Sequence, residues 1–167
     1  VAHPSYRARD DLGPVPLYAG IEFGAGQSGQ HMFVHKRAAK LVHPDRSVVA
    51  VSGDGGFMMN AQEIETAVRL GTAVVNVVWE DGGFGSITWK QERRFGRHFG
   101  TEFGNPDFVR FAESFGIPAW RCETASDFAK RLDEALASDG PSLIAVPIDY
   151  SPDVAIVGEL GEEVPPT

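Results

Sequence analysis

Two acids carry the chemistry for which this sequence can be read. Asp54 stands in Gly53-Asp54-Gly55-Gly56 directly after the apolar run Val48-Val49-Ala50-Val51. Asp81 stands in Glu80-Asp81-Gly82-Gly83 directly after Val74-Val75-Asn76-Val77-Val78-Trp79. β-Branched apolar runs, each closed by an acid and glycines and separated by a helical stretch, read as a β-α-β unit of buried parallel strands. Both acids then lie at the C-terminal ends of neighbouring strands, the edge at which open α/β sheets bind ligands. Glycine neighbours are expected to let the Asp54 backbone turn sharply and its carboxylate project. Gly82 and Gly83 are expected to leave their carbonyls pointing inward. Two carboxylates and a carbonyl are half of an octahedral oxygen shell, which Mg²⁺ completes with phosphate oxygens and water. On spacing alone, two ordinary acidic turns fit equally well.

The helix between the acids has clear end signals. Asn60 is expected to cap it with Glu63 reaching back as in a capping box, Met59 and Ile64 to form a hydrophobic staple, and Gly71 to end it. Ile64, Ala67 and Val68 form its apolar face.

Gly53-Asp54-Gly55, followed after 24 residues by Glu80-Asp81, resembles the Gly-Asp-Gly…Asn-Asn signature of thiamine-diphosphate (ThDP) enzymes. The stretch Gly53 to Gly71, the segment Gly104-Asn105-Pro106-Asp107-Phe108 to Gly116, and Val146 to Ser151 are more narrowly similar to the acetolactate synthase branch. The resemblance runs from about Ala38 to Ser151. It implies that Asp54, Asp81 and the Gly83 carbonyl bind Mg²⁺, and that Gly53, Asp54, Gly55, Gly56, Phe84 and Gly85 line the ThDP site. The implied activity is decarboxylation and carboligation of pyruvate or another 2-oxo acid, as a lyase or transferase of branched-chain amino acid biosynthesis. No residue of this chain is implied as the general acid or base. The glutamate that activates the cofactor's pyrimidine is implied to come from a separate domain or subunit, in a homo- or hetero-oligomer. The chain by itself is therefore expected to be inactive on pyruvate. In place of the paired Asn of the signature stand Glu80-Asp81, and the added charge beside an anionic diphosphate predicts weaker cofactor binding or greater dependence on Mg²⁺.

The rest of the chain positions these residues. Residues 1–20, with Pro4, Gly13, Pro14 and Pro16, read as a linker or the tail of a preceding domain. Residues 21–151 read as the diphosphate- and metal-binding domain, and 152–167 as a frayed tail. Gly24-Ala25-Gly26-Gln27-Ser28-Gly29 satisfies G-x-G-x-x-G, with Asp45 about 20 residues on. A nucleotide- or flavin-binding module is thus an alternative, although Asp45 precedes the strand at whose end such an acid belongs. A non-catalytic interface domain is another. The segment from Gln30 to Arg37 is more polar than the cofactor-supporting helix of the resembling enzymes, with Met32 as the candidate support.

From Gly85 onward the resemblance implies a helix over cofactor and substrate followed by a mobile loop, with Phe84, Ile87 and Trp89 facing the site. Arg93, Arg94 and Arg97 are candidates to attract a carboxylate, or simply a solvated charge run. His98 has no partner evident in the sequence. Asn105-Pro106-Asp107 opens a helix with Asn105 as its cap, an N1 proline and an acid at the positive end of the dipole; its buried stripe is Phe108, Phe111, Ala112 and Phe115, and it ends at Gly116. Ser126 caps another helix over 127–137. Three further crossovers are expected after the central unit, giving an α/β fold with a mostly parallel open sheet and helices on both faces, the ThDP-binding fold.

A chain of 167 residues with 43% hydrophobic content supports one globular domain, and a net charge of −8 leaves no basic surplus for nucleic acid. The lone Cys122 rules out an intramolecular disulfide and is expected to be a half-buried strand residue in a reducing cytoplasm. No apolar stretch reaches membrane length.

Overall fold

The computed structural model describes residues 39–149 and the short strand Tyr18–Ala19. In chain order the elements are β1 (Tyr18–Ala19), β2 (Val48–Gly53), α1 (Asp54–Met58), α2 (Glu63–Arg69), β3 (Val74–Glu80), α3 (Gly85–Phe95), α4 (Phe108–Glu113), β4 (Ala119–Arg121), α5 (Ala125–Leu136) and β5 (Ser142–Pro147). The five strands form one sheet of order β1-β2-β3-β5-β4, and every neighbouring pair is parallel. β2, β3 and β5 are near-continuous apolar runs because both of their faces are covered. Among the described residues two crossovers follow β3, where three are expected: one to β4 at the sheet edge and one back to β5.

Alternate residues of the central strands feed two cores. On one face Val78, Leu143 and Ala145 meet Phe57 of α1, Ile64 of α2, and Phe108 and Ala112 of α4. On the other, Val75, Val77 and Ile144 meet Ala135 of α5, with Phe128 and Leu132 of the same helix packed against them. Helices thus lie on both faces, as the strand-helix alternation predicts. Phe57 is the centre of the first core, with its ring edge-on to Phe108 at 5.4 Å and to Phe111 at 6.1 Å.

Several local expectations are corrected. The stretch after β2 is no open glycine turn, since helix α1 starts at Asp54 itself. Asn60 does not cap α2, which begins at Glu63 after Gln62 with no side-chain cap bond. Met59 and Val68 are exposed, so neither the staple nor the Val68 part of the apolar face forms. Gly71 does follow the last turn with φ of +59°, as a C′ glycine. Helix α4 is capped by Asp107, whose carboxylate accepts the Val109 and Arg110 N–H groups at 3.1 Å, and α5 by Thr124 rather than Ser126. Cys122 is fully buried rather than half-buried, and burial pushes its thiol up to about 11. Tyr18–Ala19, within the stretch read as linker, pairs with Val48–Val49. Gly24–Gly29, Met32 and the 152–167 tail lie outside the described residues, while Asp45 sits in a turn ahead of β2.

Replacing Phe57 by Ala removes the ring on which α1 and α4 meet and is expected to cost about 3–5 kcal/mol. Val68→Ala, at an exposed site of α2, should cost under about 1 kcal/mol by comparison. Urea unfolding of both variants checks the contrast.

Candidate functional site

The register of β2 against β3 pairs Gly53 with Trp79, so the two strands end within one residue of each other and Asp54 and Asp81 emerge at the same edge. Asp54 is 1% exposed. Its carboxylate does not project outward, as the sequence reading expects, but is closed in by four donors. The Gly55 N–H donates to Oδ1 at 2.7 Å. Oδ2 accepts the Asp81 N–H at 3.2 Å, the Gly82 N–H at 2.8 Å and Asn105 Nδ2 at 2.6 Å. A buried carboxylate needs such donors in place of the water it gives up.

Asp81 occupies the solvent side of the pair. Its carboxyl is held above the ordinary 3.8, first by burial and next by the charge of Asp54, which also offers a hydrogen bond to the protonated form. Two carboxylates crowded in this way form a site that a divalent cation would relieve.

Glu80 turns aside. Its side chain is 9% exposed and ion-paired with Arg121 of β4, which also binds Glu123 at 2.9 Å. Burial nevertheless raises the Glu80 pKa, against the pull of Arg121.

The glycines act by lacking a Cβ more than by turning. Gly53 has φ of −69°, and neither Gly55 nor Gly56 is among the positive-φ glycines of the described residues. A Cβ on Gly55 would meet Phe84 Cε1 at 2.6 Å, and one on Gly85 would meet Asp81 Oδ2 at 2.8 Å. A Cβ on Gly83 would meet the Thr101 carbonyl oxygen at 3.0 Å. Of the described glycines in the two acid-bearing turns, Gly53, Gly55, Gly56, Gly82, Gly83 and Gly85, only Gly82 needs its backbone freedom, with φ of +72°. Its carbonyl is not free, because it accepts the Phe103 N–H at 3.1 Å. At Gly53 and Gly56 an added Cβ would meet nothing within 4 Å.

A second segment, which the sequence reading does not assign to the site, completes it. Residues 101–105 run antiparallel beside 82–84: the Phe84 N–H donates to the Thr101 carbonyl at 2.8 Å, and Gly83 bridges Glu102. Phe84 packs at a tilt against Phe103, with ring centroids 4.8 Å apart, and covers Gly55. Asn105, expected as a helix cap, binds Asp54 instead. A polar residue one step ahead of the Pro-Asp helix start was the available signal.

Helix α3 contributes no buried residue. Ile87 is exposed, and Trp89 lies half-buried with the Arg93 guanidinium 5.4 Å from its ring. Arg94 stacks on Phe95, which is exposed, and Phe99 is 90% exposed. His98 does have partners: Nδ1 lies 2.7 Å from Glu92 and Nε2 3.4 Å from Glu102. Glu92 is the first cause that lifts the His98 pKa above 6.5. That tether is complete below neutral pH and is lost as pH rises through the raised value. NMR titration should give a His98 midpoint above 6.5 that falls further in Glu92→Gln than in Glu102→Gln.

The donor set tests whether a metal fits. Among the described residues no group of three or more His, Cys, Asp or Glu gathers, so carboxylates alone do not make a site. The two acids are neighbours through the Asp81 N–H, Asp54 Oδ1 carries one protein donor where Oδ2 carries three, and the Asn105 Oδ1 atom is buried without a partner. These hard oxygens suit Mg²⁺ completed by backbone and phosphate oxygens.

Comparison with known proteins agrees with this geometry. The family described as "Thiamine pyrophosphate enzyme, C-terminal TPP binding domain" matches residues 36–146. The chain is 40% identical over 121 residues to an acetolactate synthase of Bacillus subtilis (strain 168), covering 72% of this chain and 21% of that protein. It is 39% identical over 122 residues to a catabolic acetolactate synthase of Raoultella terrigena, covering 73% and 22%. Among solved structures, the thiamine diphosphate-dependent 4-hydroxybenzoylformate decarboxylase of Rhodococcus jostii RHA1 superposes with a TM-score of 0.67 at 28% identity, over 74% of this chain and 24% of that one. The chain thus spans about a fifth of the length of the curated relatives it matches. With the parallel sheet and the paired acids at its C-terminal edge, these matches establish that the chain belongs to the thiamine pyrophosphate enzyme family, as its C-terminal TPP-binding domain.

Proposed function

We propose that this domain holds the diphosphate end of ThDP through Mg²⁺ in an acetolactate-synthase-like enzyme that decarboxylates and joins 2-oxo acids, pyruvate first among them. The observation that carries the reading is that Asp54 Oδ2 accepts the Asp81 N–H at 3.2 Å, which sets the two acids side by side at the C-terminal edge of the sheet. Asp54, Asp81 and the Gly83 carbonyl would hold the ion. Gly53, Asp54, Gly55, Gly56, Phe84 and Gly85 would line the diphosphate path, with open space at Gly53 and Gly56. When bound, ThDP would supply a nucleophilic carbon and an electron sink for the decarboxylation of a 2-oxo acid.

The chain's own residues bind and orient. Three donors on Oδ2 fix Asp54, the Gly82 turn sets Asp81 beside it, and Phe84 with Phe103 screens the Gly55 side of the site from water. None of them is placed to act as general acid or base, so the activating glutamate and part of the substrate pocket belong to another domain or subunit. The exposed apolar side chains of Ile87, Phe95 and Phe99 support contact with such a partner. A role in branched-chain amino acid biosynthesis belongs to the same proposal, as does a cytoplasmic setting. The buried, unpaired thiol of Cys122 supports the latter. Among the described residues no helix is long and apolar enough to cross a membrane.

Calorimetry tests the site. ThDP should bind in the presence of Mg²⁺ and not in its absence. Asp54→Asn, checked for fold by circular dichroism, should weaken binding about a hundredfold, the scale of one lost charged ligand. Binding that ignores Mg²⁺ would sink the metal assignment. At limiting Mg²⁺, Asp81→Asn should bind ThDP severalfold more tightly than the wild type, because it removes a negative charge beside the diphosphate. Equal or weaker binding by that variant would rule out the charge argument.

A further inference from the structure

Asn105 has been freed from the work its position in the sequence implies. Asp107, not Asn105, caps α4. The Asn105 carboxamide is turned instead onto Asp54, where Nδ2 donates to Oδ2 at 2.6 Å. The chemistry fixes which end is which, since an amide oxygen set against a carboxylate oxygen would leave two acceptors facing each other. The other end, Oδ1, is buried and accepts no hydrogen bond. Both heteroatoms sit on one carbon, so this orphaned acceptor lies next to the Asp54 carboxylate. Buried acceptors without donors are rare because they lose their hydration for nothing. A phosphate oxygen could not satisfy it, being an acceptor itself. A hard divalent ion, or a water polarised by one, could.

We propose that Asn105 is a positioning residue of the cation site: Nδ2 holds Asp54 in place while Oδ1 engages the hydrated divalent ion. The inference rests on the Mg²⁺ reading of the site and extends it to a residue 51 positions along the chain from Asp54. It also gives residues 101–105 a purpose. Their bonds to Gly82 and Phe84 set the height at which Asn105 reaches the carboxylate.

The test uses the full-length protein, with ThDP binding followed by calorimetry across a Mg²⁺ series and apo-protein melting measured in parallel. Asn105→Ala removes both functions and should raise the half-saturating Mg²⁺ about tenfold, as expected for one charge-assisted contact, and lower the apo Tm. Asn105→Ser is a second truncation in case the alanine variant does not fold. Asn105→Asp keeps an acceptor but loses the donor toward Asp54. It should melt at a lower temperature without ligand, yet reach half-saturation at a lower Mg²⁺ concentration than Asn105→Ala, because it keeps the acceptor. If Asn105 only straps the loop, all variants melt earlier while half-saturating Mg²⁺ stays within twofold of wild type, and the proposal is overturned. It is equally overturned if Asn105→Asp needs as much Mg²⁺ as Asn105→Ala. Absence of Mg²⁺-dependent ThDP binding in the wild type would remove the reading of the site itself, a result separable from any behaviour of the variants.

Discussion

The structure depends on one buried charge. Taking the Asp54 carboxylate out of water costs several kcal/mol, and each hydrogen bond to it returns about 1.5–3 kcal/mol. A single neighbouring residue cannot supply that many donors. They come from the first turn of α1, from two successive amides of the β3–α3 turn, and from Asn105 ahead of α4. The carboxylate is therefore a junction at which three segments distant in sequence are registered against one another. The sheet makes this possible by ending β2 and β3 within one residue of each other, with Gly53 opposite Trp79.

Steric constraints follow from the same junction. Holding the 101–105 segment against the β3–α3 turn leaves no room for side chains between them. Gly83 faces the Thr101 carbonyl, and Gly55 lies under the Phe84 ring. These glycines are close-approach positions rather than hinges. Alanine at Gly55 would have to displace an aromatic ring already packed against Phe103. Rigidity at this edge suits a site that must present oxygens at fixed separation to a small ion with strict octahedral demands.

How much of this was legible depended on whether the signal was local. The parallel sheet, the two acids at its C-terminal edge and the aromatic face of α4 follow from apolar periodicity and strand length, so the sequence reading found them. What it misplaced were helix starts. Asn60, Asn105 and Ser126 each have the right residue type for a cap, yet Asn60 is buried near Phe57, Asn105 is drawn to Asp54, and Thr124 lies one turn position better than Ser126. Capping type is a local rule that a long-range partner overrides. The Asn105–Asp54 bond, the Glu80–Arg121 pair and the His98–Glu92 contact all join side chains whose meeting is decided by tertiary structure. No pattern along the chain encodes them.

The acid at position 80 shows how the fold tolerates an excess of negative charge. Glu80, Asp81 and Asp54 stand within a few residues of one strand edge, and three ionised carboxylates there would repel strongly at reduced dielectric. The three are handled differently. Asp54 is neutralised in effect by dipoles, through four donors. Glu80 is directed across β5 to Arg121 on the edge strand, so its charge is compensated away from the proposed ion. Asp81 has no basic partner among the described residues, and after burial the charge of Asp54 is the largest cause that raises its pKa; at Glu80 the same charge acts as a smaller cause, behind the pull of Arg121. The electrostatic strain of the motif is thus concentrated on the residue nearest solvent, where a cation arriving from water can discharge it without first displacing a protein partner.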